Sequence, residues 1–388
     1  QAFQKAGDLV NTEPDLLGGG EKSRYIHQIS AELPLWNPGI KIRERFLHSP
    51  FPKGEAFPPI TIAKEGDIPE KLLQKARGGF SPTAINAYRK CPLRFYFSEV
   101  AGLREPDEVE DIIDPKTLGN AVHDTLHNLY QSVKGIPLTS MHIKSMTGQA
   151  DRIVDKAFKE KYKGSAIAYG KNLLLVNVAK IMVRNFLKSQ SEVIGELEEK
   201  GQTLTVTMLE DMHRGRLSVP FRGRLTEVWI KGVVDRVDYI GDERQVIDYK
   251  TGICEKKELR IASWDDLAHN PLLDKGFQLL CYVWLLPLHG KNTLTRAGIV
   301  SLSKPGNGFM TVQVPKRGAE AAVEAKNQQD GRKERAGLTD ILTMSDKEEI
   351  ETVLTDLLTE IFDVNIPFQQ TEEPEICRRC PYLMLCQR

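Results

Sequence analysis

The chain has 388 residues with 53 basic and 53 acidic side chains, so it lacks the overall basic excess that many nucleic-acid-binding proteins show. Hydrophobic residues make up 40% of the sequence, which is enough for one large domain with an appendage. No apolar run is long enough to cross a membrane. The first residue is Gln1 and no signal peptide follows, so we expect a fragment of a longer cytoplasmic protein.

The first 79 residues predict an irregular extension, because they contain a glycine run at 18–20 and the pair Pro58-Pro59 but little hydrophobic periodicity. Regular structure is expected from residue 80 onward. Ser81 and Pro82 are a helix N-cap residue and a first-turn proline, so they predict a helix that leads to Cys91.

A helix with two histidines is predicted at residues 118–130. The apolar spacing of LGNAVHDTLHNLY has the helical period and places His123 and His127 on one face, where they could bind zinc. The segment lacks the His-Glu-x-x-His pattern of zinc hydrolases, because Asp124 follows His123. We therefore interpret His127 as structural and His123 as a candidate ligand for Mn²⁺ or Mg²⁺.

The stretch GVVDRVDYIGDERQVIDYKTG, from Gly232 to Gly252, predicts a β-hairpin that carries three catalytic residue types. Asp248 and Lys250 are two residues apart and therefore lie on one face of their strand. Strand pairing brings Asp235 within a residue or two of Asp248. A divalent cation would relieve the repulsion between these two carboxylates, and Lys250 would lie beside that cation.

This set of residues suits phosphodiester hydrolysis, in which Mg²⁺ or Mn²⁺ lowers the pKa of a bound water. Lys250 would orient or deprotonate that water, for which its pKa must fall, or it would stabilise charge on the phosphate. An Asp-x-Lys triplet alone is common by chance and also fits a solvated surface hairpin. The flanking residues distinguish these readings, since GVVDRVD followed by VIDYKTG resembles the RecB-like branch of the PD-(D/E)XK nuclease superfamily.

The resemblance implies an active site assembled from three segments. The spacing from Gly119 to His123 matches the metal-binding histidine of the family. The metal ligands implied in this way are His123, Asp235, Asp248 and Tyr249. The segment GFQLLCYVWLL predicts a buried helix with Gln278 and Tyr282 four residues apart, and without the resemblance it would be a core helix with one polar edge. The resemblance places both at the active site, where they contact the DNA backbone or hold Lys250.

Four of the six cysteines form a second candidate site. The motif at the carboxyl end and its upstream counterpart comprise Cys377, Cys380, Cys386 and Cys91. We expect Cys254 and Cys281 to be buried thiols. The spacing suits thiolate coordination of zinc or of an iron–sulfur cluster and does not separate the two. One cysteine before the catalytic residues and three after them resembles the iron-staple nucleases, which implies a [4Fe-4S] cluster, with zinc as the alternative. Such a cluster would tie the two ends of the domain together.

The fold that we expect over residues 80–388 is an α/β restriction-endonuclease-like core, with a mixed central β-sheet flanked by helices. Long amphipathic stretches predict helices at 141–162 and 171–200. Apolar alternation predicts strands at 203–208 and 226–239, ahead of the turn of the hairpin. The stretch LLGGGEKSRYIHQI resembles the end of the helicase-like part of AddB-type proteins, which precedes their nuclease domain.

The resemblance implies a metal-dependent DNA exonuclease domain of an AddB-type, RecB-like helicase–nuclease in double-strand break repair. Its partners would be DNA ends and a helicase–nuclease subunit. A CRISPR-adaptation exonuclease is one alternative, although the long extension disfavours it. A DNA-end binding module without catalysis is another, against which the intact His123, Asp235, Asp248 and Lys250 argue. Candidates for a local basic patch near the cysteines are Arg89, Lys90, Arg94, Arg378, Arg379 and Arg388.

Overall fold

The computed structural model describes residues 24–40, 42, 58–103, 113–162, 169–287, 294–316, 337–378 and 380–386. The chain divides into two compact units, residues 1–57 and residues 58–388. In the first unit the structure describes one helix, α1 (Arg24–Trp36). The second unit carries all the candidate site residues.

A six-stranded mixed sheet forms the centre of this unit, in the order β2-β3-β4-β5-β6-β7. Neighbouring strands are antiparallel except β5 and β6, which are parallel. The six strands are β2 (Pro137–Leu138), β3 (Leu204–Phe221), β4 (Arg224–Ile240), β5 (Glu243–Lys250), β6 (Leu294–Ser301) and β7 (Phe309–Thr311). Two short pairs complete the described strands, β1 (Thr61–Ile62) with β10 (Phe368–Gln369) and β8 (Val314–Pro315) with β9 (Leu338–Thr339).

Helices cover both faces of the sheet. The described helices of this unit are α2 (Ile68–Gly78), α3 (Pro82–Lys90), α4 (Pro92–Phe95), α5 (Pro115–Gln131), α6 (Ser140–Lys161), α7 (Gly170–Glu199), α8 (Trp264–His269), α9 (Asp274–Leu285), α10 (Met344–Phe362) and α11 (Pro374–Cys377). One buried cluster joins α2, α3, α9 and α10 to the sheet, and a second joins α5, α6 and α7 to it. The predicted α/β architecture is therefore confirmed. None of the described helices is both long and apolar enough to span a membrane.

The segment predicted as irregular contains regular structure. Helix α2 buries Leu72 and Ala76 in the larger core cluster, together with Phe80 that follows it. Leu72 and Ala76 lie on one side of a short helix. Because alanine is small and only weakly hydrophobic, the helical period of apolar residues is hard to recognise in the sequence. The compact unit accordingly begins at residue 58, ahead of the expected start at residue 80.

Strands β3 and β4 are the second difference from the sequence expectation. They pair from Leu204 with Ile240 to Phe221 with Arg224, with a shift of register between Val206 and Met208, whereas the sequence predicted only residues 203–208 and 226–239. Charged residues fill the missed part of β3, so its apolar alternation is weak in the sequence. Strand β5 pairs with β4 only from Arg236 to Ile240. The rest of β4 pairs with β3, so these two strands extend beyond β5 as a two-stranded ribbon.

Candidate active site

The hairpin of β4 and β5 brings the two aspartates together as the sequence spacing suggests. Arg236 pairs with Ile247, so the next position along the ladder puts Asp235 opposite Asp248. On its other side β5 pairs in parallel with β6 along its full length. Asp248 and Lys250 therefore lie just past the end of the β4–β5 ladder, on a strand that β6 still holds along its other edge.

His123, Asp235 and the backbone of Tyr249 meet on one side of this hairpin. Asp235 Oδ2 accepts a hydrogen bond of 2.8 Å from the Tyr249 backbone N–H and lies 3.5 Å from His123 Nδ1. The other ring nitrogen, His123 Nε2, lies 3.0 Å from the Tyr249 carbonyl oxygen. Burial disfavours the imidazolium, but the hydrogen bond and charge of Asp235 outweigh it and raise the pKa of His123.

Asp248 is only 2% exposed and makes an ion pair with Lys250. Its Oδ2 atom lies 2.8 Å from Lys250 Nζ, yet it is buried without a hydrogen bond of acceptable geometry. Burial raises the pKa of Asp248 to about 6, an effect that Lys250 opposes and Asp235 reinforces. A buried carboxylate oxygen with a spare lone pair is the atom type that a divalent cation binds.

Lys250 is held by a short relay from α9. Its Nζ donates to Gln278 Oε1 at 3.2 Å, and Gln278 Nε2 donates to the Tyr282 hydroxyl at 2.7 Å. Burial disfavours the ammonium, but the charge of Asp248 outweighs it and raises the pKa of Lys250. This direction favours an ammonium that stabilises phosphate charge over a lysine that deprotonates water.

The donor set fits Mg²⁺ or Mn²⁺. It comprises the atoms His123 Nδ1, Asp235 Oδ2, Asp248 Oδ2 and the Tyr249 carbonyl oxygen, and carboxylate and carbonyl oxygens are what these hard cations prefer. His123 Nδ1 lies 3.5 Å from Asp235 Oδ2, whereas the Tyr249 carbonyl faces the other ring nitrogen, Nε2. In this arrangement no group of three or more His, Cys, Asp or Glu side chains within the described ranges is spaced to hold a metal ion. Metal binding by this set would therefore require the side chains to rearrange.

Sequence reasoning did not single out Glu210, which lies beside this centre. In the β3–β4 ladder it lies opposite Asp235, between the pairs of Leu209 with Arg236 and Asp211 with Val234. Its φ angle is 49°, an uncommon value for a residue with a side chain. Glu210 Oε2 lies 3.8 Å from His127 Nδ1, so the second histidine of α5 faces this glutamate. A glutamate within a charged stretch gives no sequence signal.

A buried ion pair beneath the site was also missed. Arg236 and Asp238 are each 1% exposed, and Arg236 Nε donates to Asp238 Oδ1 at 2.6 Å. Arg236 also donates to the Tyr249 hydroxyl at 3.1 Å and lies 4.2 Å from the ring centre of Tyr130. The pair thus fixes the side chain of Tyr249, whose backbone contacts both His123 and Asp235. Charged residues inside an apolar strand, as in VDRVDY, are the signal that would have found it.

The four cysteines of the second candidate site line one small cavity. Cys91 enters it from the end of α3 and Cys377 from the end of α11, and both are buried. Cys380 and Cys386 complete the lining from the carboxyl end and are partly exposed. Cys254 and Cys281 are buried elsewhere in the larger core cluster. The structure therefore brings together the four thiols that the sequence grouped.

Of the basic residues considered for a patch near the cysteines, Arg89 and Lys90 are engaged within the protein. Arg94 lines the cysteine cavity, and Arg378 makes an exposed ion pair of 3.1 Å with Glu375. Arg89 donates to carbonyl oxygens of residues 267, 268 and 270 and stacks on Phe277. Lys90 makes an ion pair of 2.6 Å with Asp274. Arg379 and Arg388 lie outside the described residues.

Comparison with known proteins gives one strong match. The family model described as the PD-(D/E)XK nuclease superfamily matches residues 79–387. No curated protein matches the chain. Among solved structures, the one described as "Crystal structure of SSO0001" is 16% identical, covers 78% of this chain and 95% of that chain, and has a TM-score of 0.22.

Proposed function

The chain belongs to the PD-(D/E)XK nuclease superfamily, and on that premise we propose that it is a metal-dependent DNA exonuclease domain. The observation that carries the proposal is the convergence of Asp235, Asp248 and Lys250 beside His123. Two carboxylates, an imidazole and an ammonium at one point are what phosphodiester hydrolysis with a divalent ion requires. We propose Mg²⁺ or Mn²⁺ as that ion.

Each residue has a distinct task in this proposal. His123, Asp235, Asp248 and the Tyr249 carbonyl hold the cation, which when bound lowers the pKa of a water and neutralises phosphate charge. Lys250 remains an ammonium and binds the phosphate on its open side. Gln278 and Tyr282 hold Lys250 through the relay from α9.

For the wider context we propose an AddB-type helicase–nuclease that acts in the cytoplasm on double-strand breaks, with a second helicase–nuclease subunit as its partner. Two features support this proposal: the cysteines that flank the catalytic segments, and the separate unit of residues 1–57. A CRISPR-adaptation exonuclease remains the alternative, and the length of that unit disfavours it. Linear and circular DNA substrates would separate exonuclease from endonuclease action.

We further propose that the cysteine cavity holds a [4Fe-4S] cluster. The four thiols come from both ends of the domain and line one cavity. What supports the cluster over zinc is the arrangement of one cysteine before the catalytic residues and three after them, which resembles the iron-staple nucleases.

Asp248→Ala tests the nuclease assignment. Cleavage of end-labelled single-stranded DNA in Mg²⁺ or Mn²⁺ should fall at least about 1000-fold, because the variant lacks a metal ligand. The matched control is Asp242→Ala, at the exposed turn of the same hairpin, which should cleave like the wild type. Wild-type rates for Asp248→Ala, in a protein that still melts cooperatively, would overturn the assignment.

A further inference from the structure

The ribbon of β3 and β4 beyond β5 has a regularly patterned outer face. Cross-strand partners along it are Met212 with Val233, Arg214 with Lys231, and Arg216 with Trp229. Partners directly opposite in an antiparallel ladder lie on the same face. The outer face therefore presents three successive cross-strand pairs, which we call steps. The first is apolar, the second consists of two cations, and the third combines a cation with an aromatic ring.

The opposite face of the ribbon is fixed to the core. Val228, Ile230 and Val234 are fully buried in the larger cluster. A Cβ atom at Gly215 would lie 2.5 Å from the ring of Trp284 on α9, so the ribbon sits directly against that helix. The inner face of the ribbon is therefore held rigidly by the core. On the outer face Gly79 lies against Lys231 and Trp229, which are half-buried, whereas Arg214 and Arg216 are exposed.

This outer face leads directly to the catalytic centre. Val234 points into the core, so Val233 and Asp235 on either side of it lie on the outer face. Next to Asp235, Met212 is 59% exposed and Val233 is 38% exposed. From Asp235 to Trp229 is a distance of roughly 20 Å along the strand, enough for several nucleotides.

Cations gather on the second and third steps. Arg214 donates to the carbonyl of Arg77 at 3.3 Å, and Lys231 donates to the carbonyl of Gly78 at 2.9 Å, both at the end of α2. The Arg214 guanidinium also lies 4.9 Å from the ring centre of Trp229. Arg216 makes an exposed ion pair of 2.9 Å with Glu227, and such a pair is weak enough to yield to a phosphate.

We propose that the outer face of the ribbon is a track that delivers single-stranded DNA to the catalytic centre. Backbone phosphates lie on Arg214, Arg216 and Lys231, and bases stack on Trp229 and cover Met212 and Val233. Apolar and aromatic steps between cations match a strand whose base faces are exposed, whereas a duplex would offer mainly phosphates to this face. The proposal rests on the proposed nuclease function and names its substrate form.

The charge part of the track is tested by combining Arg214→Gln with Lys231→Gln. Binding of a fluorescent oligonucleotide is measured in EDTA across a salt series. The dissociation constant for single strands should rise about tenfold, and the salt slope should fall by about 1.4, or about 0.7 for each lost cation. The control combines Lys144→Gln with Lys156→Gln on α6, which are exposed lysines outside the ribbon.

The outcomes separate the track from the nuclease assignment. Equal single-strand binding by the ribbon variant and the α6 control, in a protein whose cleavage depends on Asp248, overturns the track alone. Equal losses for single strands and duplex would make the face a general phosphate surface and overturn the single-strand assignment. Absence of Asp248-dependent cleavage in the wild type overturns the nuclease function, whatever the ribbon binds.

Stacking is tested separately at Trp229, which is partly buried and whose backbone bonds to Phe80. Single-stranded DNA should quench tryptophan fluorescence in the wild type. Trp229→Phe should lose most of that quenching while affinity stays within about twofold, because a ring that can stack remains. Trp229→Ala should weaken binding about tenfold. Unchanged quenching in Trp229→Phe, or equal affinities of the Ala and Phe variants at matched melting temperatures, would overturn stacking at this ring.

Discussion

The catalytic centre and the cysteine cavity are built in opposite ways. Asp235 and Asp248 flank one turn and are brought together by the pairing of two adjacent strands. The cavity combines Cys91, near the start of the unit, with three cysteines at the carboxyl end. The first arrangement is local and the second depends on the whole tertiary fold.

The two regions also differ in their energetics. At the catalytic centre a buried carboxylate carries a raised pKa, so the native state keeps a charge where burial disfavours it. The cavity is instead lined by thiols, and any ligand there would join chain segments that are distant in sequence. Variants of the centre should therefore lose activity and keep their fold, whereas cysteine variants should first lose stability.

Lys250→Ala is expected to show the largest effect. Turnover should fall at least about 1000-fold, because no ammonium remains beside the scissile phosphate. Calorimetric titration should still detect Mn²⁺ binding, since the ligands are retained. Lys257→Ala, an exposed lysine in a surface ion pair, is the control and should retain activity. Loss of Mn²⁺ binding in Lys250→Ala would instead place this lysine among the groups that organise the metal ligands.

Cys91→Ala and Cys380→Ala should both destabilise the protein by about 2–5 kcal/mol, the range for opening a long cross-linked loop. Anaerobically purified wild-type protein should be brown and contain iron and sulfide, and each variant should lose both and melt at lower temperature. Cys254→Ala, a buried cysteine away from the cavity, is the control and should keep the colour.

A colourless wild type with stoichiometric zinc would show that the cofactor is zinc and not a [4Fe-4S] cluster. The four cysteines would still link the two ends of the domain. Unchanged metal content and melting temperature in Cys91→Ala would contradict a site shared by the four cysteines. In that case no shared site would link the two ends of the domain.

The sequence predicted the β4–β5 hairpin well because the pattern that specifies a hairpin lies within a short stretch of residues. Alternation, a turn and a two-residue spacing determine which side chains share a face, so the positions of Asp235, Asp248 and Lys250 follow from the pattern. The position of Gln278 beside Lys250 rested on the family resemblance, since a polar edge on a core helix has no partner in the sequence. The structure supplies that partner, at 3.2 Å.

Other features were missed because their roles depend on the surrounding fold. Glu210 becomes important only where β3 bends opposite Asp235. The ion pair of Arg236 and Asp238 is buried because α5 covers it through Tyr130. The ribbon face was missed because charged residues weaken the strand signal in β3. For the ion pair the deciding contact comes from α5, an element that precedes β4 by about a hundred residues.

The pH dependence of stability in EDTA tests whether the centre lowers the stability of the fold. The pKa of Asp248 is about 6 in the folded protein and about 3.9 when unfolded. The folded state therefore binds this proton more tightly, so the contribution of Asp248 to stability should fall by up to about 3 kcal/mol as pH rises from 4 to 6. The stability of the wild type relative to Asp248→Asn, measured by urea denaturation, should fall by this amount over the same range. A difference that stays constant over this range would contradict a carboxylate perturbed by burial.

Tyr282→Phe should have the smallest effect, because it acts on Lys250 only through Gln278. The variant lacks the acceptor of the 2.7 Å bond from Gln278 Nε2, so the amide holds Lys250 less firmly. We expect kcat to fall about three- to tenfold with little change in KM, and stability to fall by about 1 kcal/mol. Tyr88→Phe removes a comparable buried hydroxyl that bonds to Glu360 and should lose similar stability without the loss in kcat. Equal kcat in the two variants would show that the relay contributes to folding alone, so that the catalytic centre ends at Gln278.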